Sequence, residues 1–237
     1  MHRSNPRNPL TEIEIRHLLV QTFLQHEFPL TRDQQDQFVV YWRELRQWNS
    51  RINLTSIRCD REIVLKHFLD SLGVLQHFRI KAGDSVIDIG SGAGFPGIPL
   101  KIYIPDIELT LVEATSKKAS FLRFLLTQLN IPLTQPHVKV AVERAEVFAK
   151  QRENLRAYDW VLNRYVRSLA DSVEYCVPLL KRDGTWIAYK QEKVEDEVQI
   201  AMSQFQRCGG KLESVVKSQI PGLNRTYVAT RALPINV

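Results

Sequence analysis

The sequence has few cysteines and no long apolar run. Its cysteines, Cys59, Cys176 and Cys208, are odd in number, lie far apart and form no C-x-x-C pair. This argues against a disulfide framework and a zinc site, and it favours a reducing compartment. No apolar run approaches the ~20 residues that a membrane-spanning helix needs, and the N-terminal MHRSNPRNPLTE lacks the apolar segment of a secretory signal. We therefore expect a cytoplasmic protein with no membrane partner and no bound metal.

The bulk composition is that of a soluble folded protein. Hydrophobic residues make up 44% of the 237 residues and charged residues 24%. This length fits one globular domain with a sizeable extension, or two small domains. The net charge is +6, and residues 1–83 hold 12 Lys and Arg against 9 Asp and Glu, so half of the excess lies there. The charge permits a polyanionic partner without demanding one.

The pattern before residue 83 is helical. Apolar residues spaced by three and four predict a helix over 12–28. Thr31 is expected to cap a second helix and Asp60 a third. The second helix carries an apolar, aromatic stripe made of Phe38, Tyr41, Trp42, Leu45 and Trp48. Residues 1–83 are therefore interpreted as an N-terminal helical extension.

After residue 83, strands and helices alternate. The predicted strands are 85–89, 108–112, 138–142, 160–162, 185–189, 211–217 and 227–230. The predicted helices are 99–104, 116–130, 168–180 and 192–207. Such alternation with buried strands indicates an α/β fold with a doubly wound, mostly parallel sheet over 84–237, in which the last two strands are candidates for an antiparallel pair.

A glycine-rich turn follows the first predicted strand. The segment has the spacing Asp88-x-Gly90-x-Gly92-x-Gly94. Without Cβ atoms, such a turn lets a ligand approach the backbone and its N–H groups. Glu113 follows the next strand, where a carboxylate can accept hydrogen bonds from both hydroxyls of a bound ribose. The sequence therefore predicts a nucleoside site at the carboxyl edge of the sheet.

The glycine spacing separates two cofactor classes. A dinucleotide fingerprint needs G-x-G-x-x-G, but the sixth position counted from Gly90 is Phe95. The spacing instead resembles the first motif of Rossmann-like class I methyltransferases. This resemblance implies that the loop wraps the methionine part of S-adenosylmethionine. The plainer alternative is that the glycines serve a tight turn from strand to helix.

Further stretches resemble one methyltransferase family more closely. They are GSGAGFPGIPLKI at 90–102, NLTSIR from Asn53, HFLDSL from His67, RAEVF from Arg144, NRYVRSL from Asn163 and WIAYK ending at Lys190. Together they resemble the bacterial guanine-N7 methyltransferase of small-subunit ribosomal RNA, also called glucose-inhibited division protein B. The resemblance covers roughly residues 30–231. It implies methylation of a guanine at N7 in ribosomal RNA or the small ribosomal subunit.

The resemblance also implies a set of cofactor-binding residues. Together with the glycine motif and its acidic partner, they are Asp88, Gly90, Gly92, Gly94, Phe95, Glu113, Ala114, Thr115, Ala145, Glu146 and Arg164. Ala145 and Glu146 would lie near the adenine. The chain departs from the family in having Tyr165 and Arg167 after the arginine, and Gln191 where a glycine often follows the lysine.

Several residues have two interpretations. Asp88 is predicted either to orient the loop and the methionine amino group or to cap the N–H groups of the turn. His67 and Asp70, one helical turn apart, could pair, and helical spacing favours a structural role for both. Lys190 could contact substrate or pair with Glu113 or Glu192.

Aromatic and basic residues interleave near Trp48. Base stacking is an alternative for Trp48, but its helical spacing favours a place in the core. The nearby arginines are better candidates for phosphate contacts, and they are Arg43, Arg46 and Arg51.

The residues suit a reaction that needs no base. The chain has Asn163-Arg164-Tyr165-Val166 where amino-group methyltransferases carry Asn/Asp-Pro-Pro-Tyr/Phe, which fits a substrate that needs no deprotonation. N7 of guanine has a lone pair at neutral pH, so orientation and exclusion of water are the main requirements. No catalytic residue is assigned. Two alternatives stay open: a small-molecule methyltransferase with a helical lid, and a non-catalytic RNA-binding module.

Overall fold

A sheet of seven strands organises the described part of the protein. The computed structural model describes residues 10–133, 137–164, 168–191 and 193–233. The strand order is β3-β2-β1-β4-β5-β7-β6. The strands are β1 (Ser85–Ile89), β2 (Glu108–Val112), β3 (Val138–Ala141), β4 (Tyr158–Arg164), β5 (Leu180–Lys190), β6 (Gly210–Lys217) and β7 (Thr226–Ala232). The first five are parallel, whereas β7 runs antiparallel to β5 and β6. The predicted fold class and the antiparallel final pair are confirmed.

Helices cover both faces of this sheet. They are α1 (Glu12–Gln25), α2 (Arg32–Asn49), α3 (Asp60–Ile63), α4 (Asp70–Leu72), α5 (Gly97–Tyr103), α6 (Ser116–Gln128), α7 (Ala145–Phe148), α8 (Leu169–Cys176) and α9 (Glu195–Arg207). A π-helix (Val64–Leu69) joins α3 to α4, and 3₁₀ turns follow at Gly73–Gln76, Arg152–Asn154 and Val177–Leu179. The segment 60–76 is thus helical throughout but irregular in its hydrogen bonding.

The helix α2 begins where the sequence predicts. The Thr31 hydroxyl accepts from the backbone N–H of Gln34, and the Gln34 side chain accepts from the backbone N–H of Thr31. The aromatic stripe of α2 packs inward as expected. Its last member, Trp48, is half-buried against Phe121 and Phe124 of α6. These contacts support the core interpretation of Trp48.

The expected cap at Asp60 is wrong. Asp60 is the first residue of α3, and Cys59 occupies the cap position without a side-chain hydrogen bond. The buried Asp60 carboxylate instead accepts from the backbone N–H of Leu10 and from Trp42 Nε1, and it pairs with Arg46. These donors from the preceding elements use the oxygens that a cap would need. Asp60 therefore joins α3 to the helices before it.

Two hydrophobic clusters fill the space on either side of the sheet. The first joins the N-terminal helices to one face of the sheet and includes Phe23, Phe38, Phe68, Leu111 and Phe121. The second lies on the other face and includes Ile87, Phe148, Val173, Trp186 and Phe205. Helices 12–76 therefore share a core with the sheet. The division of the chain at residue 83 stays a prediction.

Candidate active site

The glycine turn after β1 has the backbone that its sequence suggests. Gly90, Gly92 and Gly94 have φ angles of +73°, +57° and +97°, a region that favours glycine. A Cβ at Gly94 would lie 2.7 Å from the Tyr41 hydroxyl and 2.7 Å from Ile98, so that position must stay small. A Cβ at Gly92 would meet only the Gly90 carbonyl, at 3.8 Å. The turn is therefore packed against α2 on one side and open to a ligand on the other.

Glu113 fastens this turn to the end of β2. The side chain is buried, and its Oε2 accepts from the Gly92 N–H at 2.9 Å. Its Oε1 accepts from the Thr115 N–H at 2.7 Å. A carboxylate offers about four lone-pair sites, so each oxygen can accept from a further donor. This geometry fits a ribose whose two hydroxyls donate to Glu113.

Asp88 lies in β1 behind the turn with no exposed surface. Its Oδ2 accepts from the Gly97 N–H at 3.0 Å, which agrees with a capping role toward the glycine-rich segment. Its Oδ1 is buried without a hydrogen-bond partner among the described residues. Burial raises the pKa of Asp88 to about 7, against the lowering effects of the Gly97 hydrogen bond and of Arg164. A buried acceptor of this kind fits a ligand ammonium group, which is the other predicted role of Asp88.

A cavity of about 180 Å³ opens at the carboxyl ends of β1 and β2. Its lining includes Gly90, Glu113, Ala114, Ala145 and Glu146, five of the residues predicted to hold the cofactor. The structure thus brings together residues from the glycine turn, the end of β2 and α7. The predicted Thr115 is tied to the same place through its N–H bond to Glu113.

Arg164 and Phe95 meet on the side of the turn that faces the N-terminal helices. Arg164 is the last residue of β4, and its guanidinium lies over the Phe95 ring at 5.1 Å. It also donates to Asp70 Oδ2 at 2.8 Å, to the Lys66 carbonyl at 3.3 Å and to His67 Nδ1 at 3.0 Å. Arg164 is buried, so it reaches the glycine turn through Phe95.

Asp70 is the centre of a buried cluster of charges. The side chain has no exposed surface and accepts from two arginines. Arg225 donates from Nε to Oδ1 at 2.9 Å and from Nη2 to Oδ2 at 2.7 Å. The sequence gives no sign of the role of Arg225, because this residue lies 155 residues after Asp70 and no local pattern links the two. Asp70 and His67 are both partners of Arg164, which agrees with the structural role that their spacing favours.

His67 connects the glycine turn to the loop before α3. Its ring stacks on Phe95 with centroids 4.5 Å apart, and its Nε2 lies 2.7 Å from Thr55 Oγ1. Burial, followed by the charge of Arg164, lowers the pKa of His67 to about 3. The imidazole is therefore neutral. A guanidinium can only donate, so Nδ1 accepts from Arg164 and the proton lies on Nε2.

Lys190, a further candidate from the sequence, is the last residue of β5. Lys190 Nζ forms an ion pair with Glu197 Oε1 of α9 at 2.7 Å. Glu192, one of its predicted partners, lies outside the described residues, as do Tyr165 and Arg167.

Comparison with known proteins identifies the family. A family model described as rRNA small subunit methyltransferase G, GidB, matches residues 34–226, which is more than half of the chain. The chain belongs to this family. The resemblance seen in the sequence motifs is thereby confirmed.

Curated relatives of the family match more than four fifths of the chain. The ribosomal RNA small subunit methyltransferase G of Desulforamulus reducens is 39% identical over 206 residues, 87% of this chain and 84% of that protein. The protein of the same name from Roseiflexus castenholzii is 44% identical over 203 residues, 84% of this chain and 83% of the relative.

Solved structures agree on the fold. TYW2 from M. jannaschii, in complex with AdoMet, has a TM-score of 0.54 at 16% identity and covers 77% of this chain and 78% of its own. A SAM-dependent methyltransferase from Aquifex aeolicus has a TM-score of 0.54 at 16% identity, covering 73% and 93%. At this identity the likeness concerns the Rossmann-like methyltransferase fold alone.

Among the described residues, no helix combines the length and apolar character needed to span a bilayer. Within the same residues, no group of three or more His, Cys, Asp or Glu side chains is placed to hold a metal ion.

Proposed function

We propose that this protein transfers a methyl group from S-adenosylmethionine to N7 of a guanine in small-subunit ribosomal RNA, in the cytoplasm. The observation that carries the proposal is the cavity beside the glycine turn, in a chain of this family. Its lining joins the open turn, the buried Glu113 and the start of α7. The printed names of the relatives, ribosomal RNA small subunit methyltransferase G, support the RNA substrate.

The cofactor site in this proposal has three parts. The turn from Gly90 to Phe95 holds the methionine end, with Asp88 Oδ1 accepting from its ammonium group. Glu113 accepts from the ribose hydroxyls, beside Ala114 and Thr115. Ala145 and Glu146 lie against the adenine. Support comes from the partly exposed backbone at Gly92, the unused lone pairs of Glu113 and the Oδ1 of Asp88, which has no partner among the described residues.

The chain's part in the reaction is to orient and to exclude water. S-adenosylmethionine supplies an electrophilic methyl group on a sulfonium, and N7 of guanine supplies a lone pair without prior deprotonation. Neutral His67 and the paired Arg164 hold Phe95 and hence the turn in place. Arg164 would be a poor stabiliser of the cationic product, so we assign it to positioning the site. Fixed geometry of this kind accounts for much of the rate in reactions between two bound partners.

The reaction is tested with labelled cofactor. The protein is incubated with labelled S-adenosylmethionine and with undermodified ribosomal RNA or small subunits, and the RNA is digested to nucleosides. We expect the label in 7-methylguanosine. Label in another nucleoside would overturn the guanine assignment, and transfer to small molecules without RNA would favour the small-molecule alternative. Cofactor binding without turnover on either RNA substrate would favour a non-catalytic module.

The cofactor site is tested at Glu113. The variant Glu113→Gln keeps one acceptor oxygen but loses the charge and one acceptor, so S-adenosylmethionine should bind roughly tenfold to a hundredfold more weakly, as expected for losing a hydrogen bond to a charged group. Isothermal calorimetry measures the change. The matched control is Glu108→Gln, at the exposed opposite end of the same strand. Equal affinities in the two variants would remove Glu113 from the site.

A further inference from the structure

A second, larger cavity lies outside the glycine turn. Its volume is about 440 Å³, and it is formed by the end of α2 and the loop that leads to α3. The lining residues include Leu45, Arg46, Asn49, Arg51, Thr55 and Arg58. This cavity is larger than the one beside Glu113, yet the cofactor assignment leaves it unused.

The cavity carries positive charge that is available to a ligand. Arg46 pairs with Asp60, at 3.3 Å. Arg51 and Arg58 are exposed, and neither guanidinium has an ion-pair or hydrogen-bond partner in the described part of the chain. Free guanidinium groups at the rim of a polar cavity suit phosphate oxygens.

The floor of the cavity is fixed in shape. Asn49 Oδ1 accepts from the backbone N–H groups of Leu54 and Thr55, at 2.9 and 3.0 Å. Asn49 Nδ2 donates to the Thr55 carbonyl at 2.9 Å. The side chain of Asn49, at the end of α2, therefore both accepts hydrogen bonds from the loop backbone and donates one to it. A site that is formed in advance loses less conformational freedom when its ligand binds.

The hydroxyl of Thr55, which lines the cavity, keeps a proton that it can donate. Because His67 Nδ1 accepts from Arg164, the Nε2–H must donate to Thr55 Oγ1, 2.7 Å away. The backbone N–H of Ile57 donates to the same oxygen at 3.1 Å. A hydroxyl has two acceptor lone pairs and one proton. Both lone pairs are used, so the Thr55 proton is left for an acceptor supplied from the cavity.

The same contacts connect this cavity to the cofactor site. Thr55 lines the cavity and bonds His67, and His67 stacks on Phe95 of the glycine turn. A strand bound in the cavity is therefore a few side chains away from the turn. The two sites are therefore connected, as they must be if an RNA strand held in this cavity is to place one of its bases at the cofactor.

We propose that the cavity between the end of α2 and α3 binds the sugar-phosphate strand of the acceptor RNA next to the target guanine. Arg51 and Arg58 contact phosphates, and the Thr55 hydroxyl donates to an oxygen of the RNA. The inference rests on the proposed function and adds the site where the acceptor strand is held.

The test compares two pairs of arginines. Binding of undermodified small-subunit ribosomal RNA is measured over a series of salt concentrations for the wild type and for R51A/R58A. The matched control is R156A/R182A, which removes the same charge from a cavity of about 350 Å³ at the amino ends of β4 and β5. Calorimetry with S-adenosylmethionine shows whether the cofactor site is intact in each protein.

We expect R51A/R58A to bind RNA about tenfold or more weakly with unchanged cofactor affinity. Each lost phosphate contact lowers the slope of log affinity against log salt by about 0.7, so the slope should fall by about 1.4. The control pair should lower affinity much less. Equal losses in the two pairs would mean that only overall charge matters and would overturn the proposal.

A second comparison concerns Thr55 and the kind of partner. Thr55→Val should weaken RNA binding, whereas Thr55→Ser, which keeps the hydroxyl, should bind RNA as the wild type does.

The kind of partner is tested with R51A/R58A. Loss of binding of this variant to intact small subunits but not to free RNA would assign the cavity to a protein partner and contradict the inference. If the wild type methylates RNA while R51A/R58A binds it normally, the inference fails and the proposed function stands. Failure of the wild type to methylate any RNA would instead contradict the proposed function.

Discussion

Asp88 is a carboxyl group without exposed surface, on the strand that leads into the glycine turn. Burial raises its pKa from 3.8 to about 7. The folded protein therefore holds this proton more tightly than the unfolded chain does. The stability contributed by protonated Asp88 is complete below about pH 4 and is lost as the pH rises through about 7.

We expect Asp88→Asn to remove this pH dependence. The amide oxygen can still accept from Gly97, and the side chain carries no charge at any pH. The free energy of unfolding of the wild type should therefore fall relative to the variant between about pH 4 and pH 7, by up to a few kcal/mol, because each pKa unit corresponds to about 1.4 kcal/mol. Urea unfolding without cofactor measures both curves. Parallel curves across this range would show that Asp88 is ionised in the folded protein well below pH 7.

The helical segment 60–76, the end of β4 and the loop before β7 meet at Asp70. Its carboxylate lies between the guanidinium groups of Arg164 and Arg225. Asp70→Ala would leave two buried positive charges without this counter-charge. We expect the free energy of unfolding to fall by about 3–5 kcal/mol, as for other broken buried ion pairs. Urea unfolding at neutral pH measures the loss.

Asp36 provides the matched control for this cluster. It also pairs with two arginines, Arg16 and Arg32, but its side chain is half exposed on α2. Asp36→Ala should cost about 1 kcal/mol or less, because water screens exposed pairs. If the free energy of unfolding falls equally in the two variants, the buried Asp70 cluster does not stabilise the contact among the segment 60–76, the end of β4 and the loop before β7.

The bounds of a strand could be predicted from the sequence where burial alone defines the strand. The bounds of β1 and β2 agree with the predicted 85–89 and 108–112, because each is a short run that is buried over most or all of its length and is bounded by residues that end a strand. The strand β5 begins at Leu180, five residues before the predicted Thr185. The missed residues include Lys181, Arg182 and Asp183, whose polar character resembles a loop. Leu180 pairs with Tyr158 of β4, and this pairing extends β5 toward its amino end. The sequence pattern of one strand contains no information about its pairing with another strand.

In the whole molecule, one part of the candidate site could likewise be predicted from the sequence and another part could not. The glycine turn and Glu113 were predictable because a short motif encodes both a backbone conformation and an acid at the next strand end. The partners of Arg164 were not, because Asp70, His67 and Phe95 come from separate elements that only the tertiary fold brings together. The cavity of Arg51 and Arg58 likewise depends on how the loop after α2 returns to α3.

The shared core leads to a prediction about the whole chain. Phe23, Phe38 and Phe68 of the N-terminal helices are fully buried in one cluster with Leu111 of β2 and Phe121 of α6. A fragment of residues 84–237 would expose to water the apolar surface of this cluster that the N-terminal helices cover, at about 25 cal/mol for each Å². We therefore expect this fragment alone to lack a cooperative thermal transition and to bind a hydrophobic dye.

Fragment complementation shows whether the fragment 84–237 fails to fold only because it lacks the N-terminal helices. Residues 1–83 and 84–237, expressed together, should associate and recover a cooperative transition in near-UV circular dichroism, because the apolar faces of the two fragments then bury each other. The intact chain gives the reference curve. A cooperative transition of 84–237 alone, close to that of the intact chain, would show that the sheet folds as an independent domain. In that case the helices before residue 83 would be a separable extension whose contacts add stability without being required for the fold.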